Sequence, residues 1–130
     1  MGMGGVTIPQ LEARLSLLRR YQQHGAHAES VRAVSAVVDH SAHLGTAVTI
    51  LDGAIIHAGA VVGDGVIVNT RAVLEHNSAV GDGTHLAPGA LVLGRARVGA
   101  CCLIGAGAVV LPDAIVPDQT TIPALRRYPS

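Results

Sequence analysis

The chain has no phenylalanine, no tryptophan and no lysine, and its only tyrosines are Tyr21 and Tyr128. A 130-residue globular core ordinarily packs several large rings, yet 49% of this sequence is hydrophobic. The combination predicts a narrow, regular interior built from Val, Ile, Leu and Ala. Charge of one sign is also lacking: nine basic residues, all arginine, balance nine acidic ones. The only adjacent basic pairs are Arg19–Arg20 and Arg126–Arg127, which excludes the basic stripe of a nucleic-acid-binding protein. No apolar run approaches the ~18 residues of a membrane span, and the N-terminus has no basic segment followed by a hydrophobic one. Cysteine is scarce, and Cys101 and Cys102 are adjacent, which suits neither a disulfide framework nor a zinc site. A single cytoplasmic, reduced domain is expected.

What is abundant is periodic. Every sixth residue from Val38 to Ile122 is Val, Ile or Leu: Val38, Leu44, Ile50, Ile56, Val62, Val68, Leu74, Val80, Leu86, Val92, Val98, Ile104, Val110, Val116 and Ile122. Two positions earlier stand only small residues, none larger than Val, among them Ala54, Ala60, Ser78, Thr84, Ala96 and Cys102. Residues two apart on a strand share a face, so each six-residue unit sends one large and one small side chain inward. Three residues after the large one come Gly53, Gly59, Gly65, Asn77, Gly83, Gly89 and Gly107, residue types that take the positive φ of a tight corner. Three units close an eighteen-residue triangular coil, and each coil buries the apolar interior of the next. The fold class expected is all-β: a left-handed parallel β-helix of nearly five coils over residues 38–122. The handedness is implied by resemblance to the six-residue repeat class.

The ends read differently. Residues 1–6 are Gly/Met-rich and expected to be flexible. Leu11, Leu15, Leu18 and Tyr21 recur at helical spacing between Pro9 and Gly25, predicting a short amphipathic helix. Residues 26–37 read as a linker, and 123–130 as a tail outside the repeat. The helix is expected to cap one end of the β-helix or pack on an outer face.

Inward residues build the core, so chemistry has to come from corners and outward positions. The exceptional polar stretch is Asn69-Thr70-Arg71-Ala72-Val73-Leu74-Glu75-His76-Asn77, followed by His85. His76 falls at a corner and His85 on a different face. The prism lies between them, so a site using both is expected where two chains pack side by side, as in a closed homotrimer. Outward Ile55, Val61, Ile67, Val73, Leu91 and Leu103 would otherwise expose apolar faces.

This stretch, with Val80-Gly81, Pro88-Gly89-Ala90, Gly94, Val98-Gly99 and Ile104-Gly-Ala-Gly-Ala-Val-Val-Leu-Pro112, resembles the catalytic segment of the hexapeptide-repeat sugar acetyltransferases. The group is that of the sialic-acid O-acetyltransferases and bacillosamine N-acetyltransferases. The resemblance implies acetyl transfer from acetyl-CoA to an amino or hydroxyl group of a sugar or nucleotide-sugar. It makes His76 the general base, flanked by Glu75 and Asn77. It puts His85 and Gly94 on the acetyl-CoA side, with the Gly94 N–H facing the thioester carbonyl, and Asn69 near the acceptor. Arg95 flanks the expected CoA groove, placed to meet phosphate oxygens, and Gly105 is expected on the cofactor side as well. No metal and no covalent enzyme intermediate are implied. Two departures stand out. The family's acidic residue after the catalytic histidine is Asn77 here, and most of the N-terminal nucleotide-sugar-binding domain is missing, leaving only its last helix and linker at Pro9–Val38.

Two other classes compete. A structural β-helix fragment or trimerisation module would account for both departures. A γ-type carbonic anhydrase shares the fold and binds zinc through three histidines, but the histidine pair five apart on one coil is absent: Gly81 and Ala90 stand where partners of His76 and His85 would be.

Overall fold

A computed structural model describes residues 6–130; the expectation of a flexible segment 1–6 falls almost wholly outside them. The chain forms one helix, α1 (Ile8–Gln23), and seventeen two-residue strands from β1 (Val31–Arg32) to β17 (Arg127–Tyr128). All strand pairs are parallel, and each joins residues eighteen apart, as Val31 with Thr49 and His85 with Leu103. The result is a left-handed parallel β-helix of about five coils.

Its three faces stack strands in fixed columns. The first face carries the strands beginning at Val31, Thr49, Ile67, His85, Leu103 and Thr121; the second those at Val37, Ile55, Val73, Leu91, Val109 and Arg127. The third carries those at His43, Val61, Ala79, Arg97 and Ile115. The predicted core is observed: from Ile50 to Ile122 every large inward residue is buried, as are the small ones from Val48 to Ala108. Val38 and Leu44 are more open, because no coil lies below them. Polar small residues bond within the wall. Thr84 Oγ1 donates to the Gly99 carbonyl at 2.7 Å and accepts the Cys102 N–H at 3.0 Å.

Every corner from Ala47 to Leu125 turns through one residue of positive φ, six residues apart, whether that residue is Gly, Ala, Asn, Arg, Asp, Cys, Gln or Leu. Position therefore dictates the left-handed conformation, even where a side chain makes it costly.

The ladder exceeds the 38–122 reading by one strand at each end. Arg32 and Tyr128 occupy the inward register there and hide the pattern, and residues 26–37 and 123–130 are not simply linker and tail. In the first coil, Ser30, Ser35 and Ser41 hydroxyls accept the N–H groups of Val48, Gly53 and Gly59 at 3.0 Å. In the last coil the logic inverts. Gly99, Gly105 and Leu111 each donate their N–H to the coil above, and the next residues in those columns are Pro117, Pro123 and Pro129. Proline has no N–H, so the last coil lacks one of the two ladder donors of each strand, and those of Ile115, Thr121 and Arg127 remain.

Helix α1 starts at a capping box: Thr7 Oγ1 accepts the Gln10 N–H, and the Gln10 side chain accepts the Thr7 N–H. It caps neither end. It lies along the corner between the third and first faces, where the triplets Gly63-Asp64-Gly65 and Gly81-Asp82-Gly83 stack. A Cβ at Gly65 would meet Leu18 at 3.1 Å and one at Gly83 would meet Leu15 at 3.2 Å, so these glycines make room for the Leu stripe. Arg19 bridges Asp64 at 2.7 Å and Asp82 at 2.5 Å, and Gln119 reaches Glu12.

Candidate active site

The residues singled out by the sequence divide into two groups on different sides of the prism. The first lies at the corner between the second and third faces. His76 and Asn77 are both exposed there, and Asn77 takes φ 57°. The His76 ring covers Gly94, one coil above: a Cβ at Gly94 would stand 2.7 Å from Nε2. Only glycine leaves the imidazole this position. Asn77 Oδ1 lies 3.4 Å from His76 Nδ1. With the amide oxygen in that position, the tautomer that matches it carries its hydrogen on Nδ1 and its lone pair on Nε2.

Arg95, directly above Asn77 in the corner column, is held by Asp113 through Nε at 2.7 Å and Nη2 at 3.1 Å. This pair lowers the Asp113 pKa, chiefly through the Arg95 hydrogen bond and to a lesser degree through the charge of His76. The Asp113 carboxylate is thus within electrostatic reach of His76. Among the described residues the Gly94 N–H has no protein acceptor. Pro112, in the same slot one coil above, shows that the ladder makes no use of that N–H.

Glu75 turns elsewhere. Its carboxylate faces His57, one coil below, at 3.6 Å. His40 is almost fully exposed, 3.7 Å from Asp39.

The second group centres on His85, on the outward side of the first face. It is 8% exposed, flanked by Ile67 and Leu103. Burial, followed by the nearby Arg14 guanidinium of α1, pushes its pKa down. His85 Nε2 lies 3.1 Å from Asn69 Nδ2, and Asn69 Oδ1 accepts the Thr70 N–H at 2.7 Å. His85 Nδ1 is buried without a hydrogen-bond partner. Gly105 stands two coils above Asn69 in the same column, pressed against the chain of the next coil: a Cβ there would lie 2.7 Å from the Ile122 carbonyl.

His76 and His85 therefore do not meet within one chain, as their faces require. Sequence reasoning missed three contributors: Arg14 and Asp113, which are distant in sequence and carry no motif, and the paired Gly-Asp-Gly triplets, a signal in the sequence that could have located the docking corner of α1. Both thiols are free and buried, and burial raises the pKa of each, as suits packing rather than nucleophilic chemistry. Among the described residues no three His, Cys, Asp or Glu side chains converge as metal ligands would.

No family model and no curated protein matches the chain. Solved structures do. A histidine-to-asparagine mutant of perosamine N-acetyltransferase from Caulobacter crescentus, in complex with CoA and GDP-perosamine, is 30% identical over 91% of this chain and 60% of its own, with a TM-score of 0.87. PerB from Caulobacter crescentus, with the same two ligands, is 33% identical over 89% of this chain and 56% of its own, at 0.87. The acetyltransferase domain of PglB from Neisseria gonorrhoeae is 26% identical over 95% and 65%, at 0.88. The chain thus spans about three-fifths of the length of these proteins. Fold and sequence together show that this chain has the β-helix of the hexapeptide-repeat sugar acetyltransferases.

Proposed function

We propose that the protein transfers an acetyl group from acetyl-CoA to an amino or hydroxyl group of a sugar or nucleotide-linked sugar. The observation that supports this most is His76, an exposed imidazole laid over a glycine corner with the Asn77 amide beside its Nδ1. It stands on a scaffold shared over nine-tenths of the chain with enzymes solved with CoA and GDP-perosamine.

Acetyl-CoA supplies an acyl group already activated as a thioester. As the acceptor nitrogen or oxygen bonds to the thioester carbon, its proton passes to His76 Nε2. The carbon–sulfur bond then breaks, and the thiolate of CoA leaves and takes up a proton. Asn77 orients the imidazole but cannot stabilise its cation by charge. The spare Gly94 N–H suits the oxygen that gains negative charge. The orphaned Nδ1 of His85 is a second polar atom that the chain itself leaves unused. Arg95, with Nη1 left over from Asp113, has one arm for a phosphate oxygen.

The active assembly on this reading is a homotrimer. The second face carries an unbroken apolar column of Val37, Ile55, Val73, Leu91 and Val109, and His76 lies at the edge of that face. Packing it against a neighbour's first face would bring one chain's His76 toward another's His85. A cytoplasmic location fits the two free thiols.

The test is thiol release from acetyl-CoA with GDP-perosamine and other nucleotide-linked amino sugars as acceptors. His76→Ala should lower turnover ~10²–10⁴-fold while leaving acetyl-CoA binding by calorimetry nearly intact. His85→Ala should weaken acetyl-CoA binding instead. Unchanged turnover in His76→Ala across pH 6–9 rejects the base assignment. A wild type that binds no acetyl-CoA leaves the structural β-helix as the reading.

A further inference from the structure

The hydrogen bonds around His85 settle more than its location. A backbone N–H can only donate, so the atom of Asn69 facing Thr70 N at 2.7 Å has to be the amide oxygen. The other end of that amide, an NH2 group, therefore faces His85 Nε2 at 3.1 Å. An NH2 group can only donate, so Nε2 has to be the acceptor and carries no hydrogen. A cationic ring has hydrogens on both nitrogens and would set N–H against N–H here. We infer that Asn69 is a positioning residue: oriented by the Thr70 N–H, it holds His85 as the neutral tautomer with its hydrogen on Nδ1.

The surroundings agree. Burial disfavours the charged ring, and Arg14, the charged group that reaches His85 from α1, disfavours it further; Ile67 and Leu103 on the flanking strands add no charge. Three residues on two coils thus convert one backbone N–H into a defined donor at the other end of an imidazole. That donor has no acceptor in this chain. Its complement is an oxygen acceptor, and on the acetyltransferase reading, on which this role in the reaction rests, it is a carbonyl oxygen of acetyl-CoA. Asn69 then serves the cofactor side, acting through His85, in place of the acceptor contact the resemblance implied for it.

The tautomer can be read without activity. In ¹⁵N-labelled full-length protein, long-range ¹H–¹⁵N spectra should show His85 Nδ1 protonated and Nε2 bare at pH 7. Asn69→Asp replaces the NH2 group with a carboxylate that only accepts, and should put a hydrogen on Nε2. Thr70→Pro removes the orienting N–H at a slot where Pro88 already stands one coil above, so the fold should hold while the amide turns and the tautomers mix. Both variants should weaken acetyl-CoA binding about tenfold or more by calorimetry, the order of one hydrogen bond lost in a dry site, with His76 spectra unchanged. A wild-type His85 protonated on Nε2, or an unaltered His85 spectrum in both variants, overturns the inference. Correct spectra together with no acetyl-CoA binding would keep the tautomer and reject the acetyltransferase reading.

Discussion

A single missing methyl group decides where the candidate base sits. Gly94→Ala would put a Cβ 2.7 Å from His76 Nε2, closer than real contacts allow, on a side chain free to swing into solvent. The expected outcome is a large fall in turnover with a thermal midpoint within a few degrees of wild type, measured by steady-state kinetics and calorimetry. Equal losses in both would mean that the glycine serves the wall and not the imidazole. His85 makes a different prediction, on pH. Its pKa is lowered by burial and by Arg14, so the unfolded chain binds a proton that the folded chain refuses. The stability it contributes is complete above the unfolded pKa of about 6.5 and falls as pH drops below it. Urea midpoints should therefore decline from pH 7 toward pH 5, with a shallower decline in His85→Gln. Asp64, held low by the Arg19 hydrogen bond and the Thr46 N–H, titrates below this window.

Among elements, α1 is the one whose attachment mixes two kinds of force. Leu11 is 2% exposed, and Leu11→Ala should cost about 2–4 kcal/mol through lost burial and the cavity left behind. The Arg19 bridges to Asp64 and Asp82 are more than a third exposed on the arginine side, so Arg19→Ala should cost no more than about 1 kcal/mol and less at high salt. Urea unfolding at two ionic strengths separates the two contributions. Removing residues 1–28 would uncover Gly65 and Gly83 along a whole corner, and the midpoint should drop with it. An unchanged midpoint would make the helix incidental.

For the whole molecule, the faces and the ends of the prism decide what it meets. A column of five apolar residues on the second face is a poor surface for water, and Leu91→Arg within it should break the proposed trimer into monomers by sedimentation velocity, abolishing transfer while the far-UV spectrum holds. A stable trimer in that variant would place the interface elsewhere. The ends are managed differently from the faces. Pro117, Pro123 and Pro129 remove one of the two ladder donors of each strand in the last coil, a device that weakens an open sheet edge as a template for other chains.

Much of this was legible in the sequence because the six-residue repeat is local. One large and one small inward residue per strand, and one corner of positive φ, are demands that each unit meets by itself, so the period, the core and the parallel coil can be read by counting. The separation of His76 from His85 followed from the same count. The ends were not legible, because Arg32 and Tyr128 keep the register while abandoning its hydrophobic code, and the ladder accepts them where no coil lies beyond. Nor were the partners of the site residues. That Glu75 faces His57, that Arg95 is bound by Asp113, that Asn69 holds His85 and that Arg14 comes over from α1 all depend on stacking residues about eighteen apart or on docking a helix about seventy residues away. Those neighbours are set by the closed coil and by a corner emptied of side chains, and no six-residue window contains them.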